Sequence, residues 1–164
     1  MPFVFAASAQ LPHPAAAAPA GKIKIALVGD STQTKIAGYG LGFCANLTDD
    51  VDCINPAKGG ASTKTYHQEG SWEKALAAKP DYMLIQFGHN DEPSKDHLAR
   101  ETDLRTEFPA NLKRYIAEAR AHGITPILVT PLCRLYYEAD SKVHSDLTAH
   151  AEAMKKWPRK SACR

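Results

Sequence analysis

The stretch Ile23-Lys24-Ile25-Ala26-Leu27-Val28-Gly29-Asp30-Ser31-Thr32 decides how the chain folds. Its first six residues are a short aliphatic run rich in β-branched side chains, and the run stops at a glycine and an aspartate. That combination predicts a buried strand followed by a tight turn. Residues 51–54 form a weaker run of the same kind, and residues 82–87 and 124–129 form two stronger ones, each bounded by Gly, Pro or Asp. Pro126 has no N–H to give to a ladder, so it confines the last run to a sheet edge or delays its start.

Helical patterns alternate with these strands. Phe108, Leu112, Tyr115, Ile116 and Ala119 recur at the spacing of one helix face. Residues 105–122 are therefore predicted to be an amphipathic helix that Gly123 stops. Shorter helices are expected over 72–78 and 42–47, and residues 145–156 have helical character. Strands alternating with helices imply right-handed βαβ units and one parallel sheet covered on both faces. The expected fold class is α/β.

In such sheets ligands bind beyond the carboxyl ends of the strands, so the residues just after each run carry the chemistry. The first junction is Gly29-Asp30-Ser31-Thr32, where a tight turn presents a serine hydroxyl and its own amide. The second runs from Asn55 to Ser62 and contains Gly59-Gly60, whose backbone can approach a ligand closely. The third is Gly88-His89-Asn90-Asp91, which offers a carboxamide able to donate to a developing oxyanion. The fourth is Thr130-Pro131. Each has a plainer reading. Asp30, Ser31 and Thr32 all cap helices well. Gly59-Gly60 is also an ordinary turn, and Gly88 to Asp91 also reads as polar turn chemistry after a strand. A phosphate loop is a further option for the glycines, but the Gly-x4-Gly-Lys-Ser/Thr spacing is absent. Taken together, the first three junctions place a nucleophile and a set of oxyanion donors on one sheet edge.

Bulk properties narrow the function classes. The chain has 164 residues, enough for one domain with a buried core. Twenty Lys+Arg against eighteen Asp+Glu leave a formal charge of +2, too weak a field to collect nucleic acid. No apolar run approaches the ~20 residues that span a bilayer. Four cysteines without paired C-x-x-C spacing argue against a zinc site, and no metal is expected. If the chain is exported, Cys44 and Cys53 flank a short connection and are candidates to pair; Cys133 is expected to be a buried thiol. Residues 1–21 read as the remnant of a signal peptide followed by a Pro/Ala linker, with Ala7-Ser8-Ala9 as a small-x-small pattern and no Lys or Arg before Lys22. The folded domain is expected over 22–164.

With these residues in view, the sequence resembles the SGNH (GDSL-type) hydrolases. The matching residues are Gly29-Asp30-Ser31, Gly60 and Gly88-His89-Asn90-Asp91. Among those enzymes it is most similar to the rhamnogalacturonan acetylesterase-like carbohydrate esterases. The further matches are Thr32, Asn55-x-Ala57-x-x-Gly60-x-Ser62, Tyr66, Glu69-Gly70, Trp72, residues 84–91, and Thr130-Pro131 with Arg134. The resemblance covers roughly residues 22–154. It implies a three-layer α/β/α flavodoxin-like fold and hydrolysis of acetyl esters on pectic polysaccharide, by a monomer, with no cofactor. Ser31 would be the nucleophile. The N–H of Ser31, the N–H of Gly60 and the side chain of Asn90 would form the oxyanion hole. Asp30, Thr32 and His89 would line the substrate site. Secretion or a periplasmic location follows as an expectation.

One part of that machinery is not in the sequence. The family carries its general base on a late Asp-x-x-His after a fifth strand, and no Asp-x-x-His occurs here. Asp140 and His144, and Asp146 and His150, are spaced as i,i+4 pairs and are expected to be surface ion pairs on a helix. His67, His97 and His122 are expected to be solvated. Five of the last ten residues are Lys or Arg, so a domain cut short after its fourth strand and helix is expected. Such a chain would be a weak or inactive esterase, with a non-catalytic carbohydrate binder or a phosphate-binding module as alternatives.

Overall fold

A computed structural model describes residues 21–93, 97–134, 136–137, 143–144 and 146–156. The expected leader and linker before Gly21, Asp140, and the basic tail from Trp157 lie outside the described residues. Four strands, β1 (Ile23–Gly29), β2 (Val51–Ile54), β3 (Tyr82–Gln86) and β4 (Thr125–Leu128), form one sheet in the order β2-β1-β3-β4. Every pairing is parallel. The helices are α1 (Gly40–Ala45), α2 (Thr65–Gln68), α3 (Ser71–Ala77), α4 (Glu107–Ala121) and α5 (Thr148–Lys155). A short antiparallel pair, β5 (Tyr136–Tyr137) with β6 (Val143–His144), was not foreshadowed by the sequence. Two-residue strands are too short to show a period.

The strand order sets the position of the site. From β1 the chain moves to one side to make β2, then returns across β1 to make β3 and continues outward to β4. Right-handed crossovers put α1 on one face and α3 and α4 on the other. The crevice between the ends of β1 and β3 is thus the topological switch point, where α/β sheets take their ligands. The first and third junctions flank it.

The core lies on the α3/α4 side. Ala26, Val28, Met83, Ile85 and Phe87 meet Trp72, Ala75, Phe108, Leu112, Tyr115 and Ala119, all buried. Aromatic rings join this core to the loop after β2. Tyr66 meets Phe87 edge-on, with centroids 5.4 Å apart, and Trp72 meets Tyr115 at 4.6 Å. The opposite face is more thinly covered: Leu27 is buried, but Ile127 is 42% exposed.

Pro126 sits where its chemistry requires. The N–H of Thr125 donates to the carbonyl of Asp81 and that of Val129 to the carbonyl of Ile85, both at 2.9 Å. Odd-numbered amides of β4 therefore face β3, and the nitrogen of Pro126 faces the edge of the sheet, as expected. Cys44 and Cys53 form a disulfide between the end of α1 and β2, with Cα atoms 5.6 Å apart. Closing so short a loop is worth about 2–3 kcal/mol. Cys133 corrects its expectation. It is exposed, because the chain has left the sheet by this point and both Leu132 and Cys133 lie on the outside of the loop.

Candidate active site

The first junction is a single 3₁₀ turn, Ser31–Gln33, capped by Asp30. One carboxylate oxygen of Asp30 accepts from the Thr32 N–H at 2.8 Å and from the Thr32 hydroxyl at 2.7 Å. Asp30 is fully buried while Ser31 is half-buried, so the turn hides its acid and presents its serine. Gly29 is required here: a Cβ would lie 2.4 Å from the Gln86 carbonyl oxygen of the neighbouring strand.

The other two junctions fold back on this turn. The N–H of Lys58 donates to the Gly29 carbonyl at 2.9 Å, which leans the loop after β2 against the end of β1. A Cβ on Gly59 would sit 4.0 Å from the Ser31 Cβ. Gly60 has φ +75°, a conformation that favours glycine. Asn90, after β3, donates its Nδ2 to the Ala61 carbonyl at 2.9 Å. His89 Nδ1 lies 3.5 Å from the second carboxylate oxygen of Asp30, and among the described residues neither atom has a hydrogen bond. Each junction therefore touches both of the others. The residues singled out in the sequence, Ser31, Gly60 and Asn90 with Asp30, Thr32 and His89, are gathered at one rim.

Two residues that the sequence resemblance includes, but to which it gave no role, hold this rim together. Asp91 is fully buried and accepts from the Thr63 N–H at 3.1 Å, the Thr63 hydroxyl, and the Thr102 hydroxyl at 2.9 Å. Burial raises its pKa to about 6 despite those donors. It fastens the segment just beyond Gly60 to the residue just beyond Asn90. Arg134 does comparable work from the other side. It pairs with Glu92 and Asp146 and donates to the His89 carbonyl at 2.7 Å.

The remaining histidines divide. Asp146 and His150 do not make the expected surface pair on a helix. Asp146 precedes α5, so i,i+4 spacing does not bring the two onto one helix face, and its carboxylate is engaged by Arg134. His150 is buried edge-on against Phe108 at 4.9 Å, and desolvation holds its pKa below the ordinary histidine value. His67 is not solvated either. It is mostly buried between Glu73 and Glu118. His97 and His122 are exposed, as expected.

A cavity of about 380 Å³ opens beside Asn90, lined also by His89, Glu92, His97, Arg100 and Arg134. A larger cleft of about 790 Å³ lies beside Trp72, Glu118 and the residues that lead into β3 and β4. It is at the amino ends of the strands, away from the junctions. Size alone does not make it the site, and the position of the smaller cavity at the switch point outweighs its volume.

Comparisons with known proteins agree with this geometry. The "Probable rhamnogalacturonan acetylesterase YesY" of Bacillus subtilis (strain 168) is 39% identical over 121 residues, covering 73% of this chain and 54% of that protein. The rhamnogalacturonan acetylesterase RhgT of the same organism is 34% identical over 143 residues, covering 81% and 59%. The chain thus spans somewhat over half the length of these relatives. A mutant of Axe2, an acetyl-xylooligosaccharide esterase from Geobacillus, superposes with a TM-score of 0.60 at 18% identity, covering 82% of this chain and 71% of that one. A likeness at that identity speaks for the fold. The family model for GDSL-like lipases and acylhydrolases matches residues 27–163. That match, over most of the chain and on a four-stranded parallel sheet, makes this chain a member of the GDSL-like lipase/acylhydrolase family.

Proposed function

We propose that the chain hydrolyses acetyl esters on a pectic polysaccharide of the rhamnogalacturonan type, with Ser31 as nucleophile. The observation that carries this reading is the mutual contact of the three junctions at the β1/β3 crevice. The Ser31 Cβ lies against Gly59, and the Asn90 carboxamide is tied to the Ala61 carbonyl next to Gly60, which supports the reading. Two acetylesterases of that specificity among the curated relatives support the substrate class. The Cys44–Cys53 disulfide fits an oxidising compartment outside the cytoplasm.

In this reading Ser31 Oγ attacks the acetyl carbonyl. The Ser31 and Gly60 amides and Asn90 Nδ2 take up the oxyanion, and water later releases acetate from the acyl-enzyme. Asp30 and Thr32 shape the turn through the bonds between them. A general base takes the serine proton and returns it to the sugar hydroxyl. Ser31→Ala should lower the rate of acetate release from acetylated rhamnogalacturonan at least about tenfold. Equal rates for the two proteins would show that Ser31 does no chemistry.

A further inference from the structure

We propose that Arg100 reads a carboxylate on the sugar that carries the acetyl group or on its neighbour, so that the site selects acetylated uronides over neutral acetylated sugars. The inference rests on the acetylesterase reading above and adds a specificity residue to it.

The geometry around Gly60 carries the argument. The central carbon and both terminal nitrogens of the Arg100 guanidinium lie 3.2 Å from the position a Cβ on Gly60 would occupy. Three atoms equidistant from one point put the plane of the group face-on above the Gly60 Cα. Arg100 also lines the cavity that His89 and Asn90 line. A Cβ on residue 60 would press on the guanidinium and make it give by a few tenths of an ångström, so the two residues are closely fitted.

The charges of the cavity single out this group. Arg134 is the other guanidinium there, and Glu92 and Asp146 already pair with it. No carboxylate among the described residues pairs with Arg100. Its segment is nonetheless fixed: the Thr102 N–H and hydroxyl both bond to Asp91 at 2.9 Å, and the Arg100 N–H donates to the His97 carbonyl at 2.9 Å. An arginine held in place, without a carboxylate partner among the described residues and close to Gly60, suits a planar anion, for which its fork can make two parallel hydrogen bonds. A uronate carboxylate, one pyranose ring or one glycosidic bond away from the ester, supplies such an anion.

The test compares an acetylated oligogalacturonide with its methyl ester, which keeps the acetyl groups and removes the charge. For the wild-type chain kcat/KM should be about tenfold higher on the free acid. Arg100→Gln should collapse that ratio to near one, and Arg100→Lys should keep part of it. A wild-type ratio near one, or a ratio unchanged in Arg100→Gln, overturns the proposal. Calorimetric binding of the same two oligosaccharides to the chain separates this failure from failure of the esterase reading. If no acetate is released and binding still favours the free acid through Arg100, the carboxylate site stands and the esterase reading falls. Equal binding of both ligands removes the site.

Discussion

Replacing Asn90 with alanine is expected to lower kcat for acetate release about a hundredfold while KM changes less than about threefold. One oxyanion donor in a preorganised site is worth about 3 kcal/mol in the transition state. Asn90 Nδ2 is preorganised in this sense. The amide nitrogen has two hydrogens; one is given to the Ala61 carbonyl, and that bond fixes the orientation of the carboxamide. The ground-state carbonyl carries little charge, so the donor acts on kcat. Steady-state kinetics on an acetylated oligosaccharide checks this. Asn90→Asp, which keeps the shape but replaces the donor with an acceptor, should be at least as slow. A change confined to KM would move Asn90 from the oxyanion to sugar binding.

The second large effect is on stability. Asp91→Ala is expected to cost about 4 kcal/mol, because it strands the buried Thr63 N–H and the hydroxyls of Thr63 and Thr102, and each such loss costs about 1–3 kcal/mol. The pH dependence of stability gives a sharper readout. The Asp91 pKa is raised to about 6 in the folded state, mainly by burial, above the ordinary value of 3.8. Between those values the folded chain holds a proton that the unfolded chain has released. Its contribution is therefore fully present below about pH 4, falls as pH rises, and is gone above about pH 6. A shift of two units corresponds to about 3 kcal/mol. Urea denaturation at intervals from pH 4 to 7 should show this decline in the wild type relative to Asp91→Asn, which cannot titrate. Parallel curves for the two proteins would contradict the assignment. Any movement of Asp91 also loosens both the Gly60 loop and the Arg100 segment, so Asp91→Ala should lower esterase activity together with stability.

The parts of the fold that the sequence disclosed share one property: local information suffices for them. Each strand is a short aliphatic run with a breaker at its end, and α4 repeats its apolar face over four turns. The candidate site was readable because β-α topology sends the residues after each strand to the same edge. What holds the site together was not readable. Asp91 looks like any acid after a strand, and its partners Thr63 and Thr102 lie 28 and 11 residues away. The Arg134–Glu92 pair is separated by 42 residues. Spacing misled at Asp146 and His150, where a helical interval in the sequence crosses the start of the helix. It misled again at Cys133, where a residue near the end of a strand proved to lie outside the core. The pattern of apolar residues sets which segments pack; the polar contacts that tune a rim are set by packing already achieved.

The central claim is that the Ser31 hydroxyl, the Gly60 amide and the Asn90 carboxamide act on one acyl group. A crystal structure of the chain after reaction with a fluorophosphonate tests it most directly. The expected result is a phosphorus bonded to Ser31 Oγ, with one phosphoryl oxygen about 2.7–3.1 Å from both Gly60 N and Asn90 Nδ2. A reagent bound at another residue, or an adduct on Ser31 whose oxygens reach neither donor, would contradict it.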